Sequence, residues 1–230
     1  MKAKDVRWLG IFATVAVATS VQAQFQGPSP YLQFSDSPFA GGTYQYFHLE
    51  TFEDGALNTP GVTATGGTVI GPSSLTDSVD ADDGVIDGSG TRGHSWYSNG
   101  VRTLRFDFSA VALETLPTHA GLVWTDVGVT DSGLGFGDVR FEAFDSGGLS
   151  LGVLTGSNLG DGAANGGTAE DRFFGMIHPG GISRIEMSVP TSSDWEVDHL
   201  QYGAVPEPGT LAVLTGALVG LAARRRPRRR

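Results

Sequence analysis

Short runs of alternating apolar and polar residues, cut apart by glycine-rich turns, constrain this chain more than any other feature. "LRFDF" sets Leu104, Phe106 and Phe108 against Arg105 and Asp107. "DVRFEAF" sets Val139, Phe141 and Ala143 against Arg140, Glu142 and Phe144. "ISRIEMSV" places Ile185, Met187 and Val189 on one face, and "WEVDHLQY" places Trp195, Val197 and His199 opposite Glu196, Asp198, Leu200 and Tyr202. Side chains of a strand point alternately to its two faces, so a period of two marks half-buried strands. Gly66-Gly67, Gly147-Gly148, Gly166-Gly167 and Gly180-Gly181 separate the runs as turns. Between Tyr44 and Ala204 no stretch keeps a capped 3.6-residue period, and no repeat of fixed length recurs, which argues against a propeller or a β-helix. The expectation is one all-β domain, an antiparallel β-sandwich of jelly-roll type.

The ends of the chain have a different character. Lys2, Lys4 and Arg7 precede an apolar stretch from Trp8 to Ala18, and Val21-Gln22-Ala23 offers small residues at a cleavage site. Residues 1–23 therefore read as a signal peptide, the alternative being an N-terminal membrane helix, for which the apolar stretch is short. Residues 24–43, rich in Gln, Pro, Ser and Gly, read as a lead-in or linker. The sandwich is expected over 44–204, and residues 205–230 form a separate C-terminal segment.

Charge narrows the partners. Between Gln24 and Ala204 there are six arginines, no lysine and 23 acids, a net charge of −17. Such a body repels nucleic acid and anionic headgroups, so no nucleic-acid partner is expected. The chain has no cysteine, which removes disulfides, thiolate metal sites and a cysteine nucleophile. Calcium, with its oxygen ligands, remains open.

The C-terminal segment reads "VPEPGTLAVLTGALVGLAARRRPRRR". Its apolar run Leu211–Ala223, at ~1.5 Å per residue, spans about 20 Å against roughly 30 Å of bilayer hydrocarbon. Snorkelling of the six arginines that follow extends this reach and sets their end on the cytoplasmic side, as a short transmembrane helix. The order Pro-Glu-Pro, apolar helix, arginine cluster resembles the PEP-CTERM sorting signal of Gram-negative bacteria. The motif falls on Pro206, Glu207 and Pro208, the helix on 211–223, and the basic cluster on 224–230. The resemblance implies an exosortase-type processing enzyme as partner, transient anchoring in the inner membrane and cleavage near the motif. It further implies export to the cell surface or the extracellular matrix, where such proteins accompany exopolysaccharide and biofilm. Gly209, where serine is common, and Pro227 depart from the pattern.

Acidic residues and aromatics supply the candidate sites. "DSVDADDGVIDGSG" holds Asp77, Asp80, Asp82, Asp83 and Asp87, a set that repels itself unless solvated or bridged by a cation. Its spacing is not that of an EF-hand. "HLETFEDG" carries Glu50, Glu53 and Asp54, and "DWEVDHLQYG" carries Asp194, Glu196 and Asp198. The body resembles galactose-binding-like jelly rolls, including carbohydrate-binding modules, through the loose motifs at Arg172–Gly175, Gly180–Ile182 and Asp198–Gly203. That resemblance implies a structural calcium held by acids of the first and last strands, with Glu53 and Asp198 as its ligands here. The alternative for each is a surface acid paired with an arginine. Trp96, Tyr97, Trp124, Trp195 and Tyr202 are either core or a sugar-stacking platform. Trp124 with Asp126, in "VWTDVG", is the aromatic–carboxylate pair suited to glycan contact, or an ordinary strand end.

For catalysis the sequence offers little. The five histidines, His48, His94, His119, His178 and His199, have no zinc-site spacing, and no GxSxG elbow occurs. Carboxylates such as Glu142, Glu170, Asp171 or Glu196 can be paired on paper in any chain so acidic. The expected function is a non-enzymatic exported surface or matrix protein in contact with exopolysaccharide, the alternative being a secreted glycoside-active enzyme of sandwich fold.

Overall fold

The computed structural model describes residues 22–81, 93–162 and 169–206. The signal-peptide residues up to 21, Asp82, Asp83 and Asp87, the turn at Gly166-Gly167, and everything from Glu207 onward, including Pro208 and the apolar run 211–223, lie outside the described residues. Among the described residues fourteen strands run in chain order: β1 (Gln24–Pro30), β2 (Tyr46–Glu50), β3 (Val62–Thr65), β4 (Thr68–Ile70), β5 (Ser95–Tyr97), β6 (Thr103–Phe108), β7 (His119–Val127), β8 (Val129–Thr130), β9 (Gly133–Leu134), β10 (Val139–Asp145), β11 (Ser150–Gly156), β12 (Arg172–Ile177), β13 (Ile182–Ser188) and β14 (Trp195–Ala204). An α-helical turn, Ala110–Leu113, follows β6, with Ser109 Oγ accepting from the Ala112 N–H as its cap.

Twelve of these strands form two antiparallel sheets packed as a sandwich, and β8 and β9 form a separate two-stranded hairpin. One has the order β1-β12-β7-β14-β5-β4, with β2 also paired to β14; the other has the order β11-β10-β13-β6-β3. Leu104, Phe106, Phe141, Ile185 and Met187 of the smaller sheet meet Leu122, Trp124, Phe174, Trp195 and Tyr202 of the larger one. Each fully buried aromatic or aliphatic side chain contributes roughly 2–3 kcal/mol. In the smaller sheet the alternation is kept: Leu104 and Phe106 are buried, while Arg105 and Asp107 lie half-buried on the far side and pair with each other.

The larger sheet is covered on both faces. Tyr31, Phe39, Val79, Val123 and Phe173 make a second, smaller apolar cluster on its outer side. The lead-in 24–43 is thereby structural. Its first residues form β1, an edge strand on β12, and Tyr31 and Phe39 beyond it are fully buried. Where β7 and β12 pair beneath this cluster, Gly121 stands opposite Gly175. A Cβ on Gly121 would lie 2.6 Å from Phe173 Cζ and from the Phe174 carbonyl oxygen. The missing side chains make the bed on which Phe173 and Phe39 rest, their rings 5.1 Å apart and edge to face.

Two irregularities in the β7–β14 ladder decide which side chains face outward. Glu196 pairs with Asp126 but Val197 pairs with Trp124, so Thr125 is an extra residue. A second shift lies between Asp198 and Gln201, where His199 has φ +43°. The alternation expected for "WEVDHLQY" grouped His199 with Trp195 and Val197, and set Leu200 and Tyr202 opposite. The bulge reverses this: Leu200 and Tyr202 join the sandwich interior, and His199 turns outward to contact Tyr31. One extra residue in a strand exchanges the faces of every residue after it.

Candidate functional site

All ten residues of β14 are buried, yet Glu196, Asp198, His199 and Gln201 are polar. They survive there because the segments laid over the outer face supply partners. Ser37 Oγ donates to Gln201 Oε1, and Gln201 Nε2 donates to the Tyr31 hydroxyl at 2.9 Å. The same hydroxyl is 2.9 Å from His199 Nδ1, and His199 Nε2 is 3.2 Å from Asp80 Oδ2. Burial works against the His199 imidazolium, but the Asp80 hydrogen bond and the Asp198 and Asp80 charges outweigh it and hold its pKa above the usual histidine value. The His199 hydrogen bond in turn holds the Asp80 carboxyl below its usual range.

The structure brings Glu53 and Asp198 to the same short segment. Ser78 Oγ donates to Glu53 Oε1 at 2.8 Å, and the Val79 N–H donates to Asp198 Oδ2 at 2.9 Å. Asp198 Oδ1 also accepts from the His199 N–H at 2.6 Å, and Glu53 Oε1 from the His94 N–H at 2.6 Å. Asp198 is fully buried, and desolvation pushes its pKa up to about 7. Among the described residues no three His, Asp or Glu side chains are arranged to hold a metal ion. Glu53 and Asp198 act there as acceptors for N–H and O–H donors, and Glu53 Oε1 takes two of them. Calcium takes six to eight oxygens, so these two carboxylates would be a fraction of its shell.

Glu50, named with them from the sequence, has a different task. Its Oε1 accepts from the Phe52 N–H, and its Oε2 from the N–H groups of Asn58 and Thr59, all at 3.0 Å. One carboxylate thus closes the loop after β2, and in that loop Phe52 reaches the core at φ +58°. Asp54 is a local turn acid, accepting from the Ala56 N–H at 3.0 Å.

The glycan pair is separated by the Thr125 bulge. Trp124 is 1 % exposed and packs in the sandwich interior, so it presents no ring to a sugar. The physical reason is the extra residue, which returns Asp126 to the outer face beside Glu196 instead of leaving it beside Trp124. Trp195 and Tyr202 are buried as well, and Trp96 and Tyr97 are half-buried. No stacking platform arises from these five.

Asp126 instead borders a cavity of about 310 Å³ lined by Ile70, Leu75, Tyr97, Asp194 and Glu196 among others. Glu196 is 4 % exposed; its Oε2 accepts from the Asp77 N–H at 2.9 Å and from Ser95 Oγ. Tyr97 donates its hydroxyl hydrogen to Asp194 Oδ1 at 2.8 Å. Gly128 leaves room for that carboxylate, since a Cβ there would stand 2.6 Å from Asp194 Oδ2. Desolvation, then the charges of Glu196 and Glu170, pushes the Asp126 pKa up to about 8. Desolvation likewise pushes Glu196 to about 7. The sequence did not pair Asp126 with Glu196. The available signals were an acid inside the apolar run "GLVWTDVGV" and acids alternating with apolar residues in "WEVD".

The start of the C-terminal segment is also in view. Gln45 donates its N–H to the Ala204 carbonyl at 2.7 Å, and the Val205 N–H donates to Thr118 Oγ1 at 3.1 Å. Pro206 follows at once, on the rim of a cavity of about 560 Å³ that includes Gln45, Thr118 and Gly181.

A family profile described as the PEP-CTERM protein-sorting motif matches residues 204–226. The chain therefore carries this motif, which marks an exported protein sorted by exosortase, a membrane enzyme, with a membrane-anchored C-terminal sorting region. Comparison with curated proteins and with solved structures found no match, so the likeness of the body to carbohydrate-binding modules is not confirmed.

Proposed function

We propose that this chain is a non-enzymatic protein of the cell surface or extracellular matrix. In this reading exosortase processing releases the sandwich, and the sandwich contacts exopolysaccharide. The observation that carries the reading is the sorting motif at 204–226, which begins on the last residue of β14 with no linker between. The exported cargo is thus the sandwich itself. An acidic body of net charge −17 stays soluble among anionic surfaces and associates with polymers through cations or hydrogen bonds. The test is co-sedimentation of the exported protein with the exopolysaccharide of the producing cell. Retention in the supernatant at every polymer concentration would overturn the glycan contact.

Calcium belongs to the same proposal. A cation bound only by the folded state offsets the repulsion among the acids. Glu53 and Asp198 would be its ligands beside Ser78 and Val79, with the other oxygens of the shell coming from elsewhere.

A second reading, a glycoside-active enzyme, draws on one observation. Asp126 and Glu196 line one cavity with pKa values pushed to about 8 and about 7, a range in which a carboxyl group serves as a general acid. Release of reducing sugar from the exopolysaccharide by the protein, abolished by Asp126→Asn, would establish this reading and overturn the non-enzymatic one.

A further inference from the structure

The cavity beside β7 and β14 has an imbalance of charge that the rest of the fold does not explain. Asp126 is 5 % exposed, and its Oδ1 has no hydrogen-bond partner. Each charged side chain acting on it, Glu196, Glu170 and Asp194, is another carboxylate. The fold places these acids together deliberately: the Thr125 bulge turns Asp126 outward, and Gly128 clears space for Asp194. A buried carboxyl without a cation avoids the cost of an uncompensated charge by keeping its proton, and a cationic group in the cavity would let Asp126 ionise and pair with it.

The geometry selects the kind of cation. Calcium requires several oxygens at about 2.3–2.6 Å from one point, and among the described residues no three acids converge in that way. An ammonium group is less demanding. It has three donors, forms charge-assisted bonds of about 2.7–2.9 Å, and satisfies carboxylates on different sides of it. The space of about 310 Å³ exceeds the needs of a bare ion and lies at the lower end of small-molecule sites, ~300–1,000 Å³. Its walls also carry apolar surface from Ile70 and from Leu75, which is 66 % exposed, suited to the C–H faces of a ring.

We propose that this cavity binds a primary ammonium group carried by a sugar, with Asp126 as its main partner and Asp194 and Glu196 beside it. The sugar rests on the exopolysaccharide reading; the ammonium rests on the cavity alone. The ligand class is therefore an amino sugar with a free amine, as found in a glycan that is not fully N-acetylated.

The experiment is thermal unfolding of the full chain, purified in detergent at pH 7, with glucosamine, N-acetylglucosamine, n-butylamine and sodium chloride at equal concentration. Glucosamine is expected to raise the Tm by about 3 °C, with N-acetylglucosamine and sodium chloride without effect. Asp126→Asn is expected to weaken glucosamine binding about tenfold or more, whereas Asp54→Asn leaves it unchanged. Should Asp126→Asn fail to fold, Asp194→Asn carries the same test. An equal response to N-acetylglucosamine, no response to glucosamine, or a response that survives these substitutions overturns the proposal. A response to n-butylamine as large as to glucosamine overturns the sugar and with it the proposal as stated. Co-sedimentation with exopolysaccharide separates the two readings. If it persists without a glucosamine response, only the cavity proposal fails; if it too is lost, the glycan contact fails with it.

Discussion

Asp126 and Glu196 stand directly opposite each other across β7 and β14, one residue past the looped-out Thr125. Desolvation dominates both carboxyl groups, so each holds its proton to higher pH in the folded chain than in the unfolded one. Asp198 and Glu170, each pushed up to about 7, share this direction. A folded-state pKa above the unfolded value, ~4 for Asp and Glu, gives stability that is fully present below pH ~4 and lost as pH rises toward 8. At constant ionic strength the Tm should fall between pH 5 and pH 8 by at least about 3 °C. Asp126→Asn should flatten that fall. A Tm that rises over this range would contradict the burial of these four acids without cations.

Glu50 closes the loop after β2 through three N–H donors. Glu50→Gln turns one acceptor oxygen into an N–H₂ group facing an N–H. The substitution should cost about 2–3 kcal/mol in urea unfolding at pH 7. A loss below about 0.5 kcal/mol would show that water replaces the carboxylate without penalty.

Gly121 and Gly175 leave no room for a side chain beneath Phe173. Gly121→Val should destabilise by more than about 3 kcal/mol or prevent soluble expression. Gly148, with φ +79° and open space around it, is the control: Gly148→Asn should change stability little. Comparable losses at both positions would indicate a backbone effect and not overpacking.

Calcium should raise the Tm above that in sodium of matched ionic strength, and magnesium should do less, since it demands a tighter octahedral shell. Asp198→Asn should remove most of the calcium-specific rise. Equal midpoints in calcium and matched sodium would reduce Glu53 and Asp198 to acceptors for Ser78 and Val79.

Processing is tested by intact mass. The exported form should lack residues 211–230, with a new C-terminus close to Pro206. Recovery of the whole Leu211–Arg230 segment on extracellular protein would contradict sorting by the motif.

Legibility in the sequence followed exposure. β6, β10 and β13 have one solvated face, so "LRFDF", "DVRFEAF" and "ISRIEMSV" display their orientation as alternation. β14 is covered on both sides, and there alternation records only which apolar cluster or polar partner each residue meets. The bulges at Thr125 and His199 depend on neighbouring strands and leave no local signature. For that reason simple alternation places His199, Leu200 and Tyr202 on the wrong faces, and adjacency in the sequence joins Asp126 to Trp124 and not to Glu196. The lead-in was hidden by composition, since Gln, Pro, Ser and Gly suggest a linker while Tyr31 and Phe39 do the packing. Only the family resemblance links Glu53 to Asp198 in the sequence; the segment through Ser78 and Val79 that joins them is a tertiary fact.

The sorting segment hangs from β14, which pairs with β7 along one side and with β5 and β2 along the other. While the precursor is tethered, any drag on the exported domain is delivered to this strand along its own axis. Antiparallel hydrogen bonds run perpendicular to that axis, so such a pull shears many bonds together and does not peel them one by one. A tether on an edge strand such as β1 would unzip its host under the same load. The placement puts the attachment point on a strand paired along both sides, and a cut close to Pro206 takes no hydrogen bond from the ladder.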